Sequence, residues 1–139
     1  MPDVYTFTYK NHCYVLPYGN NNVSYSINYC SRLGGHLVEI DDKSEYEKVK
    51  SEITSSGVNR DIHISGTKAA EEMEWRHQRT GETLGYMSFG SYGPAANLRK
   101  NCLIMFHGSL PNTYCASYAR FLCEVSDKHK IRGGIKDTE

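Results

Sequence analysis

The chain opens with two stretches in which β-prone residues predominate. The first covers Val4 to Thr8, and the second covers Cys13 to Leu16, after the turn-forming residues Lys10 to His12. Val, Tyr, Phe and Thr favour extended backbone and alternate in the first stretch. The pattern therefore predicts two strands near the N-terminus.

The next stretch has the spacing of a helix. Asn22 can cap its N-terminus by accepting a hydrogen bond from a backbone amide of the first turn. Val23, Ile27 and Cys30 follow at positions i, i+4 and i+7, and the glycine pair at 34–35 ends the pattern. We expect a helix that begins at Val23, with these three side chains on one face and Cys30 directed into the core.

Residues 36–40 predict a third strand, and a second helix follows it. Ser44 and Glu47 form the S-x-x-E capping box that marks a helix N-terminus. Apolar residues at 46, 49 and 53 share one face, and the Ser-Ser-Gly at 55–57 ends the helix. The sequence therefore predicts an amphipathic helix that starts at Ser44 and lies on a sheet.

From Asp61 onward the pattern changes to short β-prone segments separated by Gly, Pro, Asn and Ser. The predicted strands are Ile62–Thr67, Met73–His77, Leu84–Phe89, Cys102–Phe106 and Tyr118–Val125. Two helices followed by a loop-rich antiparallel sheet predict an α+β fold for residues 1–126. Residues 127–139 are charged and nearly free of apolar side chains, which predicts a flexible tail.

Length, charge and hydropathy restrict the function. The 139 residues are expected to form one domain, and 16 basic residues balance 16 acidic ones, which gives no field to attract nucleic acid or an anionic membrane. No apolar run reaches the length of a membrane span, and the first residues lack the apolar core of a signal peptide. No G-x-S-x-G or H-E-x-x-H motif is present, and the six histidines show no metal-ligand spacing, so we expect neither an enzyme nor a metal site.

Five cysteines without a C-x-x-C pair are typical of a disulfide-stabilised extracellular domain, so we expect a secreted protein or an ectodomain. The alternative is a set of buried free thiols in a cytosolic fold. Four cysteines allow three pairings, and spacing alone does not choose between them. The odd count leaves at least one cysteine unpaired or bonded to another chain.

Short sequence blocks in a fixed order carry a family resemblance. They are Cys30, Gly34–Ile40 (GGHLVEI), Ile64–Thr67 (ISGT), Glu74-Trp75, Thr80–Glu82, Asn101-Cys102, Cys115 and Arg120–Glu124 (RFLCE). In these blocks the chain resembles C-type lectin-like domains, invertebrate ones most, over roughly Tyr5 to Ser126. The resemblance implies the C-type lectin-like fold, an α+β fold in which two helices flank antiparallel sheets with a long loop region. It also implies the disulfides Cys30–Cys123 and Cys102–Cys115. Trp75 is expected in the core.

Cys13 has no partner in this pairing. Longer members of the family pair the corresponding cysteine with one a few residues upstream, and this chain has none there. Two interpretations stay open, an inert buried thiol and an intermolecular disulfide that makes a homodimer.

Sugar-binding members of the family hold a calcium ion with an acid or amide, a proline and a further amide or acid, backed by a Trp-Asn-Asp block. Calcium takes six to eight oxygen ligands. The corresponding segments here are Gly93-Pro94-Ala95 and Leu110-Pro111-Asn112, and no Asp or Glu lies between Glu82 and Glu124. Only Asn112 brings a side-chain oxygen, so we expect no calcium at this site and no other cofactor. The resemblance also implies a cis peptide bond before Pro94.

The leading hypothesis is a secreted, calcium-independent lectin that binds glycans, including microbial ones, through the long-loop region and serves innate immunity. Direct hydrogen bonds and stacking would replace the ion. The candidate side chains are Tyr92, Pro94, Asn97, Arg99, Lys100, Asn101, His107, Ser109, Asn112 and Tyr114. Each also has a structural interpretation, as a turn residue or as a ring packed on the disulfide. The alternative is a lectin-like module for protein or matrix partners that has lost sugar binding.

Overall fold

The computed structural model describes residues 4–69, 74–85, 101–106, 110 and 112–126. Within these ranges the chain forms two helices and eight strands, whose bounds in chain order are β1 Val4–Tyr9, β2 His12–Pro17, α1 Val23–Arg32, β3 His36–Leu37, α2 Lys43–Ser56, β4 Ile62–Thr67, β5 Cys102–Met105, β6 Asn112–Thr113, β7 Arg120–Phe121 and β8 Cys123–Ser126. The predicted α+β class with two helices is confirmed. The predicted tail at 127–139 and the peptide bond before Pro94 lie outside the described residues.

The strands form two sheets of four strands each. The first has the order β1-β2-β8-β3, with every neighbouring pair antiparallel. The second has the order β6-β5-β4-β7, and its short β4–β7 pair is parallel. The predicted single strand at 118–125 is wrong in one respect, because the chain changes sheets at Leu122. Its backbone amide and carbonyl bond to His63 and Val38, respectively, while β7 joins one sheet and β8 the other.

Helix α1 is capped as predicted, but its buried face is different. The Asn22 side chain accepts a hydrogen bond from the amide of Tyr25 at 2.8 Å. Val23, Ser26 and Cys30 are the buried residues, and Ile27 is 36% exposed. Ser26 can take the buried position because its hydroxyl donates to the carbonyl of Asn22 at 2.8 Å, which satisfies its polar group.

Helix α2 begins at Lys43, so the predicted capping box at Ser44 and Glu47 is wrong. Asp42 is the N-cap and accepts from the amide of Glu45 at 2.7 Å, while the Glu45 carboxylate accepts from the amide of Asp41 at 3.3 Å. The predicted spacing of an N-cap and an acid three residues later therefore does occur, but in Asp42 and Glu45, two residues before the predicted pair. The helix ends at Ser56, and its C-cap is Gly57, whose φ of 83° suits a residue without Cβ.

Two other predicted strands are not formed where the structure describes them. Residues 74–77 contain isolated bridges only, from Arg76 to Thr67 and to Thr83, and residues 84–85 contain no bridge. Met73 and residues 86–89 lie outside the described ranges. The third predicted strand is confined to β3, although Val38 and Ile40 are buried beyond it. Trp75 is in the core, as predicted.

Hydrophobic side chains form two clusters. The larger one lies between the sheets and α2, and it contains Leu16, Val49, Trp75, Leu103 and Leu122 among others. The smaller one lies under α1 and contains Cys30, Cys102, Cys123 and Phe121. The disulfide-bonded cysteines thus lie in or against the small cluster, which joins α1 to both sheets.

Candidate functional site

The disulfide Cys102–Cys115 closes the base of the predicted binding loop. Its Cα atoms are 5.2 Å apart, and β5 and β6 pair beside it, with Cys102 opposite Thr113 and Leu103 opposite Asn112. The second disulfide joins Cys30 of α1 to Cys123 of β8. Both pairings implied by the family resemblance are therefore present, and Cys13 is a free, half-buried thiol.

Three of the predicted site residues fall within the described residues. Asn112 is only 8% exposed, so it offers little surface to a ligand in this conformation. Asn101 anchors the second sheet, because its carbonyl accepts from the amide of Lys68 at 3.2 Å and from the hydroxyl of Thr67 at 2.9 Å. Tyr114 is 45% exposed beside Cys115 and is the best placed of the three to contact a ligand. Outside the described residues lie Tyr92, Pro94, Asn97, Arg99, Lys100, His107 and Ser109, which stay predictions.

A buried histidine fixes the segment that follows the loop. His63 Nε2 lies 3.1 Å from the carbonyl oxygen of Asn21 and 3.0 Å from that of Ser117, so an Nε2–H tautomer can donate to both. Burial lowers the pKa of this imidazole. The neutral imidazole of His63 therefore holds residues 114–119 against the start of α1. At the same place the amide of Val23 donates to the carbonyl of Cys115 at 3.0 Å.

Three exposed tyrosines belong to the segments that His63 holds together. Tyr18, Tyr25 and Tyr118 expose 56%, 43% and 69% of their surfaces. The guanidinium of Arg120 lies over the ring of Tyr18 at 5.4 Å, and the ring of Tyr25 lies 6.3 Å from that of Phe121. The bridge between Asn21 and Ala119 brings the neighbourhoods of Tyr18 and Tyr118 together. We call these three residues the tyrosine face.

A second polar site lies where β2, β3, β8 and the start of α2 meet. A cavity of about 250 Å³ is lined there by five carboxylates, those of Glu39, Asp41, Asp42, Glu45 and Glu124, together with Lys10, Arg79 and several aromatic and imidazole groups. We call it the acidic cavity. It is built mainly from the segment between β3 and α2, which places three of these carboxylates within four residues.

Burial and the nearby charge of Glu124 raise the pKa of Glu45 to about 7, although the Tyr14 hydroxyl donates to its carboxylate at 2.8 Å. Glu124 accepts from the amide of Glu39 at 3.0 Å and pairs with His12. Burial opposes ionisation of Glu39, but two hydrogen bonds from Arg79, at 2.7 and 2.8 Å, and the charge of nearby His36 outweigh it and lower the pKa of Glu39.

Next to this cavity, His77 connects three segments of the chain. Its Nε2 lies 2.8 Å from Asp41 Oδ1, and its Nδ1 lies 2.7 Å from the hydroxyl of Ser65. The order Ser65, His77, Asp41 is that of a hydrolytic relay, but Ser65 is buried and its backbone amide donates to Val38. The contacts of Ser65 fix the orientation of the imidazole.

Known proteins share this arrangement of helices, sheets and disulfides. The family model described as the Lectin C-type domain matches residues 19–125. The chain belongs to the C-type lectin domain family. No curated protein sequence matches it.

Solved C-type lectin-like structures share the fold at low sequence identity. Human lithostathine is 20% identical with a TM-score of 0.78, over 87% of this chain and 88% of that one. The mouse scavenger receptor C-type lectin carbohydrate-recognition domain is 20% identical with a TM-score of 0.76, over 87% and 93%. A calcium-independent type II antifreeze protein is 17% identical with a TM-score of 0.74, over 87% and 91%. Identities this low establish the C-type lectin fold and leave the ligand to be argued from the chain itself.

The loop base of this C-type lectin domain was predictable from the sequence, and the second polar site was missed. Its histidines were predicted to be ordinary strand and loop residues, and its acids were not recognised as a group, because Asp41 and His77 lie far apart in the sequence. Local spacing carries no signal for such a group. The sequence does contain one signal for this site, which is the clustering of acids: four of the sixteen acidic residues lie between 39 and 45.

Proposed function

We propose that this C-type lectin domain is a secreted module that binds glycans of microbial or cell surfaces through the region closed by Cys102–Cys115. The observation that carries the proposal is the exposed ring of Tyr114 beside this disulfide, at the edge of the loop region. A tyrosine ring offers an apolar face for a sugar ring and a hydroxyl for hydrogen bonding. The carbohydrate-recognition domain of the mouse scavenger receptor, with the same fold, supports this assignment.

Glycan binding by this domain is proposed to need no calcium. No Asp or Glu lies between Glu82 and Glu124, and calcium needs six to eight oxygens, usually including several carboxylates. Recognition then rests on direct hydrogen bonds and stacking, which suits polyols and acetamido groups. The calcium-independent type II antifreeze protein supports the idea that this fold is stable without calcium at its loops.

Secretion is supported by the two disulfides, because such bonds persist in oxidising compartments. Within the described residues, no helix has the length and apolar character needed to cross a membrane.

A glycan array run with and without EDTA tests the glycan proposal. We expect binding that survives the chelator, and we expect Tyr114→Ala to weaken it by about tenfold, the loss of roughly 1.4 kcal/mol that one aromatic contact supplies. Tyr118→Ala is the matched control, since it removes an exposed tyrosine four residues away and should leave glycan binding unchanged. Absence of binding to every glycan would refute the proposal, and binding abolished by EDTA would refute its calcium independence.

A protein or matrix partner is the second candidate, and the tyrosine face favours it. Exposed aromatic residues are enriched at protein interfaces. In that case, binding to a purified matrix protein should persist after enzymatic removal of its glycans and should be lost in Tyr118→Ala rather than in Tyr114→Ala. The two variants therefore separate the two candidate functions.

We also propose that Cys13 forms an intermolecular disulfide that makes a homodimer. Cys13 lies in β2 opposite Thr8 and Val125, and its side chain is half-buried, so part of it can be reached by a second chain. Two linked sites would raise avidity for a repetitive surface by orders of magnitude. Non-reducing electrophoresis should show a species of twice the 15.8 kDa monomer that disappears on reduction and in Cys13→Ser. A monomer under non-reducing conditions would show that the thiol is inert.

A further inference from the structure

Three potential metal ligands from two distant segments meet beside the acidic cavity. A carboxylate oxygen of Glu39, a carboxylate oxygen of Asp41 and an imidazole nitrogen of His77 all lie within 4.8 Å of one another. Only small movements would bring them to the spacing of ligands around one ion. One imidazole and two carboxylates suit a transition metal such as zinc better than calcium, because calcium takes oxygen ligands.

The surroundings of His77 fit a metal ligand. Only 3% of this side chain is exposed, and the hydroxyl of Ser65 lies 2.7 Å from its Nδ1. The Ser65 hydroxyl also lies 3.2 Å from Gln78 Oε1, which accepts from the amide of Gly66 at 2.9 Å. When Nδ1 carries the proton, it donates to Ser65, and Ser65 donates to Gln78. This chain of donors leaves the Nε2 lone pair available to a metal, and such a second layer of hydrogen bonds is typical of histidine ligands.

The metal-free arrangement is satisfied by the other tautomer. Nε2–H then donates to Asp41 Oδ1 at 2.8 Å, and the Ser65 hydroxyl donates to Nδ1. Metal binding would therefore replace the hydrogen bond between His77 and Asp41 by two metal–ligand bonds, with the imidazole already in place. A site that needs little rearrangement loses little affinity to ordering.

Access and charge also favour a cation. The Asp41 side chain is 54% exposed and forms the solvent side of the group, so an ion can enter there and keep a water molecule. Arg79 donates hydrogen bonds to both oxygens of Glu39, but a carboxylate has about four lone-pair positions, so Glu39 can still bind an ion. The Arg79 side chain is also 54% exposed and can turn outward. The five carboxylates of the acidic cavity outnumber Lys10 and Arg79.

We propose that Glu39, Asp41 and His77 form a binding site for a divalent transition-metal ion of the zinc type. Ser65 is its positioning residue. The site lies on the link between β3 and α2 and on the turn after Trp75, so the metal would add a bond between two segments that the ion pair of Arg79 with Glu39 already joins.

Calorimetric titration of the 139-residue protein with zinc chloride tests the site, and cobalt(II) absorption reports the coordination geometry. We expect one equivalent of zinc, a rise in unfolding temperature that EDTA reverses, and a cobalt spectrum of low coordination number. Asp41→Asn, His77→Gln and Ser65→Ala should each weaken zinc binding, Ser65→Ala by about 10- to 100-fold. Asp41 is exposed, so Asp41→Asn tests the site even if His77→Gln does not fold.

Three control variants exclude other zinc ligands. His36→Gln, His12→Gln and Cys13→Ser each remove a nearby imidazole or the free thiol, and they should bind zinc within about threefold of the parent protein. The proposal is overturned if the parent protein binds no zinc at millimolar concentration, if Asp41→Asn and His77→Gln bind as tightly as the parent, or if one of the controls loses binding instead. It is also overturned if calcium stabilises the protein and zinc does not.

Discussion

Replacing Cys30 and Cys123 together by alanine should lower the free energy of unfolding by about 4 kcal/mol. The bond joins residues 93 positions apart, so it removes much of the conformational freedom of the unfolded chain. Both sulfur atoms also lie in the small core cluster, where smaller side chains leave a cavity. Urea unfolding followed by circular dichroism measures the change.

The matched control is the Cys102→Ala, Cys115→Ala double variant. Its bond closes a separation of only 13 residues, for which the same chain-entropy argument gives about 3 kcal/mol. The variant without Cys30–Cys123 should therefore unfold at the lower urea concentration, with α1 less well anchored. If the variant without Cys30–Cys123 lost no more stability than the variant without Cys102–Cys115, the view that the longer closure contributes more to stability would be contradicted.

Gly35→Ala should destabilise the domain by about 3 kcal/mol, at the upper end of the usual range for overpacking. A Cβ atom at this position would lie 2.2 Å from the carbonyl oxygen of Glu124 and 2.7 Å from a methyl group of Val125. The first of these atoms belongs to the backbone of β8, which pairs with β2 and β3 and cannot move alone. Thermal and chemical unfolding of the purified variant measure the loss.

Gly57→Ala separates this contact from the general cost of removing a glycine. Gly57 has a φ of 83°, and a methyl group added there would meet no other atom within 4 Å, so alanine faces only backbone strain of about 1 kcal/mol. Similar losses for the two variants would show that the approach of residue 35 to β8 is not what excludes a side chain.

The helices were predictable from the sequence because their signals are local. Asn22 and Gly57 act at the ends of α1 and α2 through contacts within a few residues. The start of α2 was misplaced because Asp42 with Glu45 and Ser44 with Glu47 satisfy the same rule, and only the formed helix distinguishes them. Ile27 was placed on the buried face because a serine is a poor core candidate until its hydroxyl has a backbone acceptor.

The sheets and the candidate sites were less accessible from the sequence. Nothing local at Leu122 marks the change between sheets, since both halves of the run are equally β-prone. The disulfide pairs came from the family resemblance, because spacing permits three pairings. Glu39, Asp41 and His77 could not have been grouped in advance, since β4 and the turn after Trp75 bring His77 to the link before α2 only in the folded chain.

The position of β8 has a consequence for biosynthesis. β8 lies between β2 and β3 in its sheet, although it is the last of these strands to leave the ribosome. Until Cys123 emerges, Cys30 is exposed to oxidation beside three other thiols, those of Cys13, Cys102 and Cys115. In an oxidising compartment the Cys30–Cys123 bond could therefore form only once β8 has been synthesised, and a chain that stops before β8 would leave β1 and β2 separate from β3.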